Sequence, residues 1–274
     1  MTDPKSSYTY GHAPAVVGVH AARSAGKEAA FFLPHLSPGM KLLDVGCGPG
    51  TITVGLAKAV APAEMIGVDM AETVLEQGRS AAKTAGVRNA RFERADAAAL
   101  PYAAHTFDAI FAHTLLEHVP APLDALHEMK RVLKPGGIIG VRDCDWGSGV
   151  FWPPDPLVQQ AADLYSRVWS HNGGHPNLGR QLPALLRQVG LSKITPSTSF
   201  RWNGSHDDPT NGSPTFGQLL AERLLLPNFA TPITQNGWSD LDTLQRISQA
   251  CTAWSTHPYA YAAMIMIEAI ARND

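Results

Sequence analysis

The residues with the clearest chemical potential lie in Lys41-Leu-Leu-Asp-Val-Gly-Cys-Gly-Pro-Gly-Thr51. An apolar run closed by Asp44 and followed by Gly46, Gly48 and Gly50 reads as a buried strand entering a tight turn and then a helix over 51–60. Glycines at these positions remove side chains where backbone passes close to a ligand, and the turn presents free N–H groups at the helix start. Two classes of cofactor use such a cradle. A dinucleotide fingerprint is Gly-x-Gly-x-x-Gly with its acid about 20 residues further on. Here the pattern is Gly-x-Gly-x-Gly, with an acid already inside the strand, and a second acid, Asp69, ends the next apolar run, Met65-Ile-Gly-Val-Asp69.

Groups that could move a proton are His113, His118, Asp143, Asp145, His171 and His175, and a general base works best with a pKa near the working pH. Asp143-x-Asp145 points both acids the same way along a strand, as a magnesium site would need. Hard cations take more oxygen ligands than the sequence offers nearby. His171 and His175 flank a Gly-Gly turn without the cysteine pair or third histidine that zinc requires. No metal is therefore expected.

These groups must be held by regular elements. Strands are expected near 41–45, 65–69, 90–94, 107–113 and 137–145, with helices near 51–60, 71–85 and 122–132 between them. That alternation calls for an α/β fold, a doubly wound, mostly parallel sheet covered on both faces. Ligands of such sheets bind beyond the carboxyl ends of the strands, where Asp44, Asp69, Asp96, His113 and Asp143 all fall. Residues 13–35 suggest one or two helices broken near Gly26. Trp146 to Pro154 reads as a loop, followed by a helix near 155–170, a helix near 179–189 closed by Gly190, and a strand near 192–202. Residues 203–215 are loop chemistry, and two helices follow, near 216–226 and 239–254. Ser239 is expected to cap the second, which should bury Leu241, Leu244, Ile247 and Cys251. Ala260 to Ile270 reads as the final strand.

At this point the chain resembles the class I methyltransferases that use S-adenosylmethionine, most nearly the subgroup that resembles ubiquinone and menaquinone C-methyltransferases. The glycine turn, Asp69, Asp96-Ala97, Phe107–His113 with the following Leu116-Glu-His-Val119, and Arg131-Val-Leu-Lys-Pro-Gly-Gly137 stand in the family's order and spacing over roughly residues 40–145. The resemblance implies a Rossmann-like sheet of seven strands in the order 3-2-1-4-5-7-6. It implies S-adenosylmethionine as cofactor, converted to S-adenosylhomocysteine. Gly46, Cys47 and Gly48 would approach its amino-acid and ribose parts, and Asp44 would meet its amino group or order the turn. Asp69 would take the ribose hydroxyls, Met70 the adenine face, and Asp96 with Ala97 the adenine amine. Thr51 and His113 would lie at the methionine end, and Tyr10 would cover the mouth as part of a flap. For catalysis the candidates are His113, Asp143 and His175. The expected organisation is a helical flap at 1–35, a cofactor core at 36–150, helical lid insertions at 151–177 and 203–258, and remaining core elements at 178–202 and 259–274.

Composition narrows the function. With 274 residues, 45% apolar and 17% charged, the chain is an ordinary globular sequence able to bury a sizeable core. A formal charge of −2 offers no basic stripe for nucleic acid. Cys47, Cys144 and Cys251 lie far apart in apolar company and read as reduced, buried thiols. Neither a leader nor an apolar run of about 18 residues is present, so a cytoplasmic protein without a membrane span is expected. Trp146, Phe151, Trp152, Trp169, Trp202 and Trp254 come mainly from the added segments and suit a small, largely apolar acceptor, quinone-like or from secondary metabolism. Methylation at oxygen, nitrogen or carbon, a homodimer, a protein that binds the cofactor without transferring methyl, and an oxidoreductase using a nicotinamide cofactor all stay open.

Overall fold

The structure, a computed structural model, describes residues 23–204 and 215–274. The expected flap residue Tyr10 and the stretch 205–214 lie outside the described residues. Seven strands form one sheet: β1 (Leu42–Val45), β2 (Met65–Asp69), β3 (Ala90–Arg94), β4 (Phe107–His113), β5 (Leu133–Trp152), β6 (Ser192–Gly204) and β7 (Tyr261–Arg272). Their order is 3-2-1-4-5-7-6, as expected. β1 to β5 run parallel, and β7 runs antiparallel between β5 and β6.

Both faces are covered because the central strands are apolar on both sides. On one face α1 (Ala25–Glu28), Phe32 and α2 (Thr51–Val60) close over Leu42, Met65, Ala109, Phe111 and Ile138. α3 (Glu72–Thr84) packs beside them, with Leu75 and Ala82 grouped with Phe92 and Cys47. On the other face α4 (Pro122–Val132) and α6 (Leu182–Gln188) close over Val45, Val68, Ile110, Ile139 and Val141. In α4, Leu126, Met129 and Val132 are fully buried, the stripe that a spacing of three predicts.

A second core is built from α5 (Pro156–His171), α7 (Phe216–Leu224), α8 (Pro227–Gln235) and α9 (Leu241–Ser255). Tyr165, Trp169, Phe216, Leu220, Phe229, Ile247 and Trp254 pack there with Ala262, Met264 and Met266 of β7. β7 serves both cores. Its even-numbered residues from Ala262 to Met266 face the outer helices, whereas Ala269 and Ala271 belong to the α4 and α6 side of the sheet.

The structure corrects several local expectations. β5 does not stop before Trp146. Between the pairs Asp145–Ile265 and Val150–Ala263, four residues on β5 face one on β7, so the Gly-Ser-Gly stretch is a bulge and pairing resumes through Trp152. Ser148 Oγ accepts from the Ile265 N–H at 2.9 Å, replacing a ladder bond that the bulge removes. Between 216 and 258 there are three helices rather than two. α8 was hidden by Pro227 and Pro232. The first sits in the opening turn, where no N–H is needed, and burial of Phe229, Ala230 and Ile233 outweighs the second. The cap of α9 is Asp240, whose carboxylate accepts from the Thr243 N–H at 2.7 Å, not Ser239, and Leu241 is 58% exposed. Gly26 lies inside α1 rather than breaking it.

Candidate cofactor and acceptor site

The turn after β1 is made by three glycines in the left-handed region, Gly46 (φ 76°), Gly48 (φ 51°) and Gly50 (φ 74°). Their surroundings differ. A Cβ on Gly46 would meet Leu115 Cδ1 at 2.8 Å, and one on Gly50 would meet the Gly78 backbone at 2.8 Å. A Cβ on Gly48 would meet nothing within 4 Å among the described residues. Gly46 and Gly50 are thus required by packing, while Gly48 fronts open space at the carboxyl edge of the sheet, where a ligand's backbone-close portion would fit.

Asp69 ties this turn to the next strand. Its Oδ2 accepts from the Gly48 N–H and its Oδ1 from the Ala71 N–H, each at 3.0 Å. Each oxygen keeps a second lone pair, so the carboxylate can still accept two hydroxyls. Met70, beside it, is 54% exposed, an apolar surface available to a flat ring. Further along the edge, Asp96 is exposed and accepts from the Ala98 N–H at 2.9 Å, and Ala97 is buried under it. Cys47 is buried with its thiol pushed well above the usual range by burial and by the charges of Asp44 and Asp69. Thr51 opens α2 and is half-buried.

Asp44 is buried, and its Oδ2 accepts from Thr53 Oγ1 at 2.6 Å. Burial pushes its carboxyl up to about 7; the Thr53 hydrogen bond opposes this and the charge of Asp69 adds to it. Its charge is therefore balanced near neutral pH, and a cation arriving at the turn would favour the ionised form.

Beyond β4 the polar residues separate into two groups. His113 is buried on the α1 side, with its Nε2 3.8 Å from Glu28 and its Nδ1 3.4 Å from Arg142 Nη1. Arg142 also binds Glu28 Oε2 at 2.5 Å and Glu268 Oε1 at 3.1 Å, and Ser199 Oγ donates to Glu268 at 2.6 Å. One guanidinium thus joins α1, β5, β7 and β6. The arginine directly after the apolar run Ile138–Val141, inside the strand, was the available signal for this network, and sequence reasoning passed over it.

The second group centres on Asp143 and Glu117. Asp143 Oδ1 accepts from the Glu117 N–H at 3.2 Å, and Glu117 Oε2 accepts from the Cys144 N–H at 2.7 Å. Both side chains are buried, and Asp143 Oδ2 has no hydrogen-bond partner among the described residues. Burial pushes Glu117 up to about 7 and Asp143 well above its usual range, with the Glu117 charge adding to the latter. The pair therefore holds a proton near neutral pH. His118 lies 3.5 Å from Glu117 Oε1 and stacks on Trp169 at 4.9 Å. Burial, with Arg23, Arg201 and Arg223, keeps its imidazole well below its ordinary pKa, so this approach is not one of opposite charges.

The other proton-transfer candidates stand apart. His175 is half-buried, with its N–H on the Glu117 carbonyl at 2.7 Å and its Nε2 3.3 Å from Pro120 O. His171 is exposed against Trp238. Asp145 is engaged by Arg180 at 2.7 Å. All three cysteines are buried and free. No helix among the described residues is long and apolar enough to cross a membrane.

The family described as "Methyltransferase domain" matches residues 36–193. "Probable methyltransferase ltbC" of Aspergillus luteorubrus is 40% identical over 151 residues, which are 52% of this chain and 53% of that protein. The demethylmenaquinone methyltransferase of Staphylococcus aureus is 45% identical over 102 residues, 37% of this chain and 42% of that one. The chain thus spans about half the length of these curated relatives. Among solved structures, the YcgJ protein from Bacillus subtilis superposes over 91% of this chain and 99% of its own, with a TM-score of 0.61 at 18% identity, a likeness of fold. The match over residues 36–193, on a sheet of this order, establishes that the chain belongs to the methyltransferase-domain family.

Proposed function

We propose that this protein transfers the methyl group of S-adenosylmethionine to a small organic acceptor with a largely apolar body. The observation that carries the reading is the open face of Gly48 beside the Asp69 carboxylate and the exposed Met70, all on the carboxyl edge of the sheet. These groups fit the cofactor: Asp69 for the ribose hydroxyls, Met70 for the adenine face, Asp96 with Ala97 for the adenine amine, and Asp44 for the ammonium. Thr51 and His113 would hold the methionine end. The cofactor supplies a methyl made electrophilic by its sulfonium.

The chain's own work is alignment and exclusion of water. Holding a nucleophile about 3 Å from the carbon it attacks supplies much of a displacement's rate enhancement. We assign the acceptor to the space between the loop after β4 and the outer helices, with 151–177 and 203–258 as the lid and the N-terminal 35 residues as a flap. Trp146, Tyr165, Trp169 and Phe216, whose rings meet one another at 4.9–6.5 Å, would wall it. Of the proton-transfer candidates, Asp143 with Glu117 is the best supported, because Asp143 Oδ2 is buried without a hydrogen-bond partner among the described residues and burial pushes its carboxyl well above the usual range; His113 and His175 would position neighbouring groups.

Calorimetric titration with S-adenosylmethionine and S-adenosylhomocysteine, followed by assay of S-adenosylhomocysteine formed with apolar phenols and quinols, tests the reading. Binding with turnover is expected. Binding without turnover on any acceptor would leave a protein that uses the cofactor otherwise, and a melting temperature raised by NAD alone would point to an oxidoreductase.

A further inference from the structure

The two edges of the sheet are guarded differently. An edge strand offers a row of unpaired N–H and C=O groups to any other strand, and proteins blunt such edges with short length, charge, proline and bulges. β3, at one edge, is short and carries Arg91, Glu93 and Arg94, and Arg79 Nη2 donates to its Phe92 carbonyl at 3.0 Å. β6, at the other edge, divides in two. Its first half has a register shift between Ser192 and Thr195, Lys193 at φ 47°, and Pro196, which has no N–H to give. From 197 to 204 there is neither bulge nor proline, and among the described residues no strand pairs with β6 on its outer side. Arg201, the charged residue of this half, pairs in register with Met264 and so stands on the face of the outer helices.

The other face of this half is apolar and open. Phe200 is 66% exposed and Trp202 57%, and they pair in register with Ile265 and Ala263 of β7. Trp202 stacks on Tyr261 at 4.3 Å. The same face continues inward to Val150 and Trp152 of β5, which lie opposite Ala263 and Tyr261 and are also more than half exposed. Trp152 and Trp202, expected from the sequence to serve the acceptor, thus stand away from the outer core. The alternation that sends Phe151 to that core sends Trp152 to the other face.

Apolar rings beside an unguarded edge on one strand make a surface that a second copy of that strand matches. A two-fold axis makes two identical strands antiparallel, and pairing residues of like parity keeps like faces on one side, so Phe200 and Trp202 come beside their own copies. We infer that the protein forms a homodimer in which the 197–204 segments of two copies pair edge to edge and join their sheets into one. Two half-open rings and an edge roughly 25 Å long make an interface below the about 800 Å² per partner of standard size, so the dimer dissociates on dilution. The inference is independent of the methyltransferase reading.

Sedimentation velocity of the full chain, from about 1 to about 200 µM, tests it. The mass should rise with concentration toward twice that of the chain. Phe200→Lys and Trp202→Lys should each weaken association about tenfold or more, since the two-fold axis applies each charge twice and sets like charges near one another. Trp152→Lys should leave association within about twofold, because β5 lies about 10 Å from β6, behind β7. Amides 197–204 should exchange more slowly at the high concentration than at the low one. A far-ultraviolet spectrum and melting temperature like the native ones mark each variant as folded; if Trp202→Lys fails this through loss of the Tyr261 stack, Phe200→Lys carries the test. A chain that stays monomeric overturns the proposal, and a monomer whose tryptophan fluorescence shifts on phosphatidylcholine vesicles would give the face to lipid instead. A dimer indifferent to the two β6 variants, or with unchanged exchange at 197–204, overturns it too. A dimer lost as fully in Trp152→Lys as in Trp202→Lys would mean that faces pack rather than edges, and would also overturn it.

Discussion

Around Gly46 to Gly50 the polar contacts are made by main chain, with the N–H groups of Gly48 and Ala71 fixing one carboxylate, and side chains are mostly absent. In the outer core, which we propose forms the acceptor chamber, the reverse holds: large rings of α5, α7, α8 and α9 pack with side chains of β7. The difference teaches how one fold holds a constant ligand and a variable one. A backbone cradle depends on φ angles and changes little with side-chain replacement, so it suits a cofactor shared by many enzymes. A side-chain chamber can be altered one residue at a time without disturbing the sheet.

The comparison breaks if a change in one region is felt equally in the other. Trp169→Ala, in the chamber, should cost about 3–5 kcal/mol of stability, read by denaturant melts, because a fully buried ring is removed from a packed cluster. Its effect on S-adenosylmethionine affinity should stay within about twofold, and a loss of a hundredfold would join the two regions. Asp69→Ala is the converse. It should lower S-adenosylmethionine affinity about a hundredfold by calorimetry, since charge-assisted hydrogen bonds are worth about 1.5–3 kcal/mol each.

A sharper test lies inside the turn. Gly50→Ala should destabilise the fold by about 2–4 kcal/mol, since its Cβ would strike the Gly78 backbone as well as adopt a positive φ. Gly48→Ala should cost about 1 kcal/mol of stability, because the new methyl meets nothing within 4 Å among the described residues, yet weaken cofactor binding about tenfold or more. Equal losses of stability would mean that Gly48 is structural like its neighbours.

The smallest effect is on pH. Asp44 has its folded pKa raised to about 7 from 3.8, so the neutral form is favoured by folding and that stabilisation is lost as pH rises from about 4 through about 7. Asp44→Asn should therefore look more favourable, relative to native, at pH 8 than at pH 5, with a slope of at most about 1.4 kcal/mol per pH unit between those limits. Cofactor affinity should rise over the same window in the native protein, as the ionised carboxylate meets the ammonium, and flatten in the variant. A flat native profile would remove Asp44 from the binding site.

The legibility of the two regions followed the same division. The cradle could be read because its determinants sit within about 30 residues and act through spacing: glycines at alternate positions, an acid closing each apolar run, and helices whose limits at Thr51, Glu72 and Pro122 matched their periodicity. The sheet order came from resemblance, since no local pattern fixes which strand lies beside which. The chamber could not be read in this way. Arg142 gathers Glu28, Ser199 and Glu268 from three distant stretches, and nothing local says that β5, α1, β6 and β7 meet there. The partnership of Glu117 with Asp143 crosses 26 residues, so no local pattern shows it. β5 was cut short and α8 missed for one reason: glycine and proline were weighed by their local preference, while pairing with β7 and burial of Phe229 decided the outcome.

β7 gives its first half to the outer helices and its second half to the helix-covered sheet. Neither core has a complete wall without it, so the two should melt in a single cooperative transition although one is helical and the other lies on a sheet. Hydrogen-exchange protection along Ala262 to Ala271 should then be uniform and should equal the global unfolding free energy. A mutation that loosened the chamber would shorten the lifetime of the cofactor cradle as well, through the backbone of one strand, even where the affinity of the folded protein stayed the same.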